Sequence, residues 1–224
     1  MKLTCTQENF SHGLGIVNRA VANRSTLPIT QNVLLTTDKS RLKLSATNLE
    51  IGITTWIGGD VDDEGAITVP ARLLSEFVNS LPSGNISLEL MPGTGVLELK
   101  CGNAEARING ADADEFPPIP AVDEGVGARI EQGILKRAIA RVAFAAATEE
   151  SRPVLTGVEV RLSAANFTVA AADGFRLAVQ HGSLMEQVDQ DIEVIIPART
   201  LNELGRLLGN QTDSVEILIT PSKG

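Results

Sequence analysis

The residues best equipped for chemistry are scattered along this chain. Gly13-Leu14-Gly15 has the spacing of the first two glycines of a dinucleotide-binding turn, but Asn18 stands where the third is needed and the segment sits inside an amphipathic helical pattern. Asp60, Asp62, Asp63 and Glu64, with a second group at Asp112, Asp114 and Glu115, have the hard oxygen donors of a cation site and would support a metal-dependent enzyme. Their hairpin-like setting reads instead as a solvated loop. The chain has two cysteines, Cys5 and Cys101, and two histidines, His12 and His181, too few for a zinc site or disulfide framework. Both cysteines lie in strand-like sequence and read as buried thiols. No Ser or Cys nucleophile has a histidine in matching context, and the Asn-x-Ser/Thr matches at Asn23, Asn166 and Asn210 read as coincidence. The expectation is a binding protein with no cofactor and no metal.

The elements that hold these residues show a repeat. The 224 residues suit two domains, with 43% hydrophobic and 21% charged residues. No apolar run nears a membrane span, and Lys2-Leu3-Thr4-Cys5 opens no secretory signal, so a soluble cytoplasmic protein is expected. Shifting the sequence by 125 residues lays Phe10, Leu14 and Val17 on Leu135, Ile139 and Val142, one helical face. Val33 and Leu35 fall on Val158 and Val160, and Leu42, Leu44 and Ala46 on Phe167, Val169 and Ala171, alternating as half-buried strands do. At 127, Val69-Pro70-Ala71-Arg72 meets Ile196-Pro197-Ala198-Arg199, each opening a helix behind a proline.

Each copy splits into similar halves. The first reads strand (2–6), helix (9–22) and strands near 32–37, 41–46 and 50–57; the second reads strand (66–69), helix (71–81) and strands near 86–90, 96–100 and 105–108. The expected fold is α+β, a duplicated domain with antiparallel sheets and two helices packed on one side. The proline-rich stretch 116–125 reads as an extended linker, and the bounds expected are 1–120 for domain one, 121–128 for the connection and 129–224 for domain two. Val215–Ile219 matches Ile86–Leu90, after which the counterparts of two strands are wanting, so the expectation is a truncated chain.

Charge divides with the helices. The expected helices and their flanking turns hold Arg19, Arg24, Arg72, Lys136, Arg137, Arg141, Arg199 and Arg206 against only Glu76 and Glu203, while the remainder holds 11 basic and 26 acidic residues of a chain at −9. A cationic helix layer on an acidic protein suits a one-sided phosphate surface.

Several ordered blocks carry a resemblance. Arg24-Ser25-Thr26-Leu27-Pro28-Ile29, Ala46-Thr47-Asn48-Leu49-Glu50, Val69-Pro70-Ala71-Arg72 and Asp114-Glu115-Phe116-Pro117 resemble the first domain of the bacterial DNA polymerase III beta subunit, the sliding clamp family. Ala171-Ala172-Asp173-Gly174-Phe175-Arg176-Leu177-Ala178 and Ile195-Ile196-Pro197-Ala198-Arg199 resemble its second domain. The resemblance implies a noncatalytic DNA replication processivity factor. Family members have three such domains and pair head to tail into a homodimeric ring around double-stranded DNA, bound without sequence preference. A fragment lacking the third domain is expected to be monomeric. The two-domain clamp of archaea and eukaryotes is the alternative that the length would suit.

The resemblance also assigns residues. Arg24 and Arg72 fall near phosphates, where the planar guanidinium fork holds oxygens without reading bases. The family's other DNA loop maps to Glu149, Glu150, Ser151, Arg152, Pro153 and Val154. Here the sequence departs from the family: Glu149 repels phosphate and Pro153 and Val154 offer no side-chain donor, leaving Arg152 as the contact. Lys136, Arg137 and Arg141 contribute long-range field. Leu155, Gly174, Phe175, Arg176 and Leu177 resemble the floor of a groove where the replicative polymerase, the clamp loader and repair proteins insert short motifs with apolar anchors. Phe175 stands where a smaller polar residue is common.

Overall fold

A computed structural model describes residues 1–23, 26–122, 124–149 and 151–220, which divide into two compact units between Ile119 and Pro120. In unit 1, β1 (Lys2–Thr6) leads into α1 (Gln7–Val17), followed by β2 (Asn32–Asp38), β3 (Arg41–Thr47), β4 (Gly52–Gly58) and β5 (Asp60–Asp63). Then β6 (Ala66–Pro70) leads into α2 (Ala71–Ser80), β7 (Asn85–Met91), β8 (Val96–Cys101) and β9 (Ala104–Asn109). The two halves exchange first strands. One antiparallel sheet runs β5-β1-β7-β8-β9 and the other β4-β3-β2-β6, so β1 lies beside the second half's strands and β6 beside the first half's.

The helices cover these sheets with the apolar faces that the spacing implies. Phe10, Leu14 and Val17 of α1 and Leu74 and Val78 of α2 are buried with Leu35, Leu42, Leu44, Leu88 and Leu99, each such side chain contributing roughly 1.5–3 kcal/mol of transfer free energy. Gly13 lets α1 sit close: a Cβ there would lie 2.5 Å from Leu44 Cδ1. Polar contacts close the seam between α1 and α2, with Ser11 Oγ donating to Asn79 Oδ1 at 2.7 Å and Asn18 Nδ2 to Ser75 Oγ at 2.8 Å.

Several boundaries differ from the sequence expectation. Helix α1 begins at Gln7 because Thr6 Oγ1 accepts from Asn9 N at 3.3 Å, and after Val17 it tightens into a 3-10 turn (Asn18–Ala20). The chain then leaves the helix, with Ala22 N bonded to Thr30 O. Strand β4 starts at Gly52, not Glu50, because Asn48 Oδ1 accepts from the amides of Glu50 and Ile51 and holds a turn. The acidic stretch read as a solvated loop is partly a strand: Asp60–Asp63 pairs with β1 at the sheet edge. An edge strand wetted on its surface lacks the apolar alternation by which strands are read. The expected linker also shortens at both ends. Phe116 is buried and Ile119 lies against Gly52 in unit 1, whereas Val126–Ala128 already pair with Ile219, Leu218 and Ile217.

Unit 2 repeats the plan with β10 (Val126–Glu131), α3 (Gln132–Val142), β11 (Gly157–Ser163), β12 (Asn166–Ala172), β13 (Leu177–Ser183), β14 (Ile192–Pro197), α4 (Ala198–Leu207) and β15 (Ser214–Ile219). One sheet runs β13-β12-β11-β14 and β10 pairs with β15, the same exchange of first strands. Helix α3 stops at Val142 and passes into a 3-10 turn (Ala143–Ala145). Leu135, Ile139, Val142, Phe167, Val169 and Leu201 form the core.

Candidate nucleic-acid interface and peptide groove

The helix cations differ in their surroundings. Arg72, in the first turn of α2, donates from Nε to Glu76 Oε1 at 2.8 Å one turn along, an exposed pair that raises the arginine above its ordinary value. Lys136 is half-buried on α3, while Arg137 and Arg141 are exposed; Arg141 Nη1 donates to Gln180 Oε1 at 3.2 Å. Among the described residues none of these three has a carboxylate within ion-pair distance. Arg24 and Glu150 lie outside the described residues.

The remaining cation, Arg152, is placed elsewhere. Its Nη1 lies 3.3 Å from where a Cβ of Gly174 would stand, and it lines a cavity of about 160 Å³ with Thr148, Glu149, Asp173, Phe175 and Arg176. The loop assigned by resemblance to DNA thus brings Arg152 and Glu149 to the Asp173–Leu177 turn. Pro153 starts a 3-10 turn (Pro153–Thr156) that carries Val154, 67% exposed, and Leu155 into the wall of an apolar slot.

The turn between β12 and β13 is held by one carboxylate. Asp173 Oδ1 accepts from the amides of Phe175 at 2.9 Å and Arg176 at 3.0 Å, and Oδ2 accepts from Arg176 Nε at 2.8 Å. These backbone bonds, aided by the guanidinium, hold Asp173 below the usual carboxylate range. Gly174 takes φ +91°, a conformation that favours glycine. Arg176 also lies over the Phe144 ring at 5.4 Å, so its guanidinium is fixed from two sides. Phe175 and Leu177 are left 95% and 70% exposed.

Beside this turn the sheet surface forms a slot of about 170 Å³ lined by Val154, Leu155, Gly157, Ala170, Ala172, Leu177 and Ile195, with Glu159 at its rim. Register makes it: Ala172 pairs with Leu177, and Glu159 pairs with both Ala170 and Ile195, so alternate residues of four strands share one face. Small residues form the floor and large apolar ones the walls. A Cβ on Gly157 would meet Ile195 Cγ2 at 2.3 Å. Arg161 joins Glu159 at 3.5 Å to Glu193 at 2.6 Å, which occupies the acidic groups near the slot. Gly157, Ala170, Ala172 and Ile195 escaped the sequence reading. Their signal was the period-two alternation around Leu177, which shows only once the strands are in register.

On unit 1 the equivalent positions are Asn32, Ser45, Thr47, Gly52 and Thr68. There the unit covers its own face: Thr68 and Ala111 exchange backbone hydrogen bonds at 3.1 and 2.9 Å, and Ile119 packs on Gly52. Among the described residues no group of three or more His, Cys, Asp or Glu could hold a metal ion, and no helix is long and apolar enough to cross a membrane.

Residues 1–120 match the DNA polymerase III beta subunit, N-terminal domain, and residues 129–223 match its central domain. The chain belongs to the DNA polymerase III beta subunit family. It is 38% identical over 96% of its length to the beta sliding clamp of Synechocystis sp., and 30% identical over its full length to that of Bacillus subtilis. It spans 59% and 61% of those relatives. Among solved structures, the Bacillus subtilis sliding clamp superposes with a TM-score of 0.95 at 29% identity, covering 99% of this chain and 60% of that one. A Pseudomonas aeruginosa clamp bound to griselimycin gives 0.89 at 30% identity, covering 98% and 59%. The α+β fold of duplicated domains is that of the family.

Proposed function

We propose that the chain supplies the N-terminal and central parts of a noncatalytic replication processivity factor that encircles duplex DNA in the cytoplasm and tethers the replicative polymerase through short peptides. The slot beside the Asp173 turn carries this reading. It offers apolar walls on a floor of small residues, next to a rigid turn, which is the chemistry of a site for a peptide with apolar anchors. The griselimycin complex of the Pseudomonas relative supports a ligand site in this family. Phosphate contact falls to the helix arginines and lysines, which hold a backbone in any sequence and let it slide. The order of the two family domains favours the bacterial three-domain, homodimeric arrangement over a two-domain clamp.

Titration of the chain with a short two-anchor peptide, followed by amide chemical shifts, tests the reading. Shifts should centre on Leu155, Gly174, Phe175, Arg176, Leu177 and Ile195. A peptide that perturbs residues remote from the slot would overturn it.

A further inference from the structure

One sheet position that both units share is built differently in each. Arg41 and Lys43 of β3 and Trp56 of β4 stand where unit 2 has Asn166, Thr168 and His181. The register is the same, with Lys43 opposite Trp56 and Thr168 opposite His181. In unit 2 Thr168 Oγ1 and His181 Nδ1 bond to each other at 3.0 Å. In unit 1 the indole Nε1 of Trp56 donates to Asp38 Oδ2 at 2.8 Å, and the Arg41 guanidinium and Lys43 ammonium lie 5.7 and 5.5 Å from the ring centroid. Leu42 and Leu44 are buried in the core that α1 covers, so strand alternation turns Arg41 and Lys43 to the other face of the sheet. Trp56 is 43% exposed there, and among the described residues neither cation has a carboxylate within ion-pair distance. The hairpin turn before Arg41 adds Lys39, where unit 2 has Ala164.

Unit 2 shows that these strands pair in the same register without an indole or cations, so the fold does not require them. We propose that Arg41, Lys43 and Trp56 form a docking surface on unit 1 for an extended acidic segment of a partner protein, with carboxylates at alternate positions. Same-face neighbours on a strand lie about 6.4–6.8 Å apart, a spacing that the two cations share with alternate side chains of an extended ligand. Both cations are donors only and carboxylates are acceptors only, and the guanidinium fork can hold a carboxylate with two parallel bonds. Contact with the indole orders the cationic heads before a ligand arrives, so less freedom is lost on binding. An exposed tryptophan beside arginine is also the composition of interface hot spots. Because the indole already carries two cations and its N–H is taken by Asp38, it is poorly placed to stack on a nucleobase, which favours a peptide over single-stranded nucleic acid. On a chain at −9, a cluster of unpaired cations is where an acidic segment is steered. This surface is separate from the slot and the helices to which peptides and phosphates are assigned above.

Trp56 is the only tryptophan and the chain has no tyrosine, so intrinsic fluorescence of the whole chain reads the surface directly. The probe is a short Gly-Ser peptide, blocked at both ends and carrying Glu-Ser-Glu, with the Gln-Ser-Gln peptide as control. At low salt the glutamate peptide should change Trp56 emission saturably and lose affinity as salt is added, and the glutamine peptide should do neither. Replacing Arg41 and Lys43 with their unit 2 counterparts, Arg41→Asn with Lys43→Thr, should raise the Kd roughly 3- to 30-fold while the thermal melt holds. Should that double variant melt early, Lys43→Thr alone should raise the Kd roughly 2- to 5-fold and Lys43→Arg should bind as the parent does. No emission change with the glutamate peptide, equal binding of the glutamine peptide, or affinity indifferent to these variants overturns the proposal. A single-stranded oligonucleotide is the remaining arm: if it quenches Trp56 at lower concentration than the glutamate peptide does and the double variant abolishes that quenching, the surface belongs to nucleic acid and the proposal fails.

Discussion

Leu177→Ala should weaken peptide binding while leaving the fold almost untouched. In the free chain Leu177 is 70% exposed, so its side chain contributes little to folding and is available to a ligand. Complete burial of a leucine is worth roughly 1.5–3 kcal/mol, and covering the exposed part should recover about 1–2 kcal/mol. Truncation then predicts a Kd raised roughly 5- to 30-fold. Isothermal titration with a two-anchor peptide, beside a thermal melt of each variant, reads both quantities. Folding stability should change by no more than about 0.5 kcal/mol, the usual range for surface substitutions. Unchanged affinity would show that Leu177 does not wall the ligand site. A large fall in melting temperature would show instead that the side chain supports the fold, contrary to its exposure.

Gly157→Ala should close the slot from below, since its Cβ would meet Ile195 Cγ2 at 2.3 Å; peptide titration should show weaker binding than for the parent chain. The Asp173 turn should loosen in acid. Its carboxyl is held below the ordinary value of about 3.9, so the stabilisation is fully present above that value and is lost as pH falls through the lower folded value, which the Phe175 and Arg176 amide shifts should report. Gly13→Ala should destabilise unit 1 by about 1–3 kcal/mol through overpacking on Leu44, less the helical gain of alanine, seen as a lower unit 1 transition by calorimetry. Burial pushes the Cys5 thiol up to about 12, so it should resist alkylation at pH 8 until the chain unfolds. Because an unfolded thiol ionises near 8.5, stability should decline as pH rises beyond that value.

Local pattern made much of the fold legible. The apolar spacing of Phe10, Leu14 and Val17, matched by Leu135, Ile139 and Val142, identifies both a helix and its duplicate, because a helix draws its buried face from residues close in the chain. The prolines before Ala71 and Ala198 mark the second helix of each unit for the same reason. Helix charge could likewise be counted from residue types alone.

Local sequence pattern thus sufficed for the duplication, the order and kind of most elements and the cationic helices. Tertiary structure alone decided that the halves of each unit exchange first strands, that Asp60–Asp63 joins an edge, and that Arg152 lies over Gly174. It also assembled Gly157, Ala170, Ala172, Leu177 and Ile195 into one slot. Those outcomes depend on which strands become neighbours and in what register, and each strand's alternation specifies only which residues share a face.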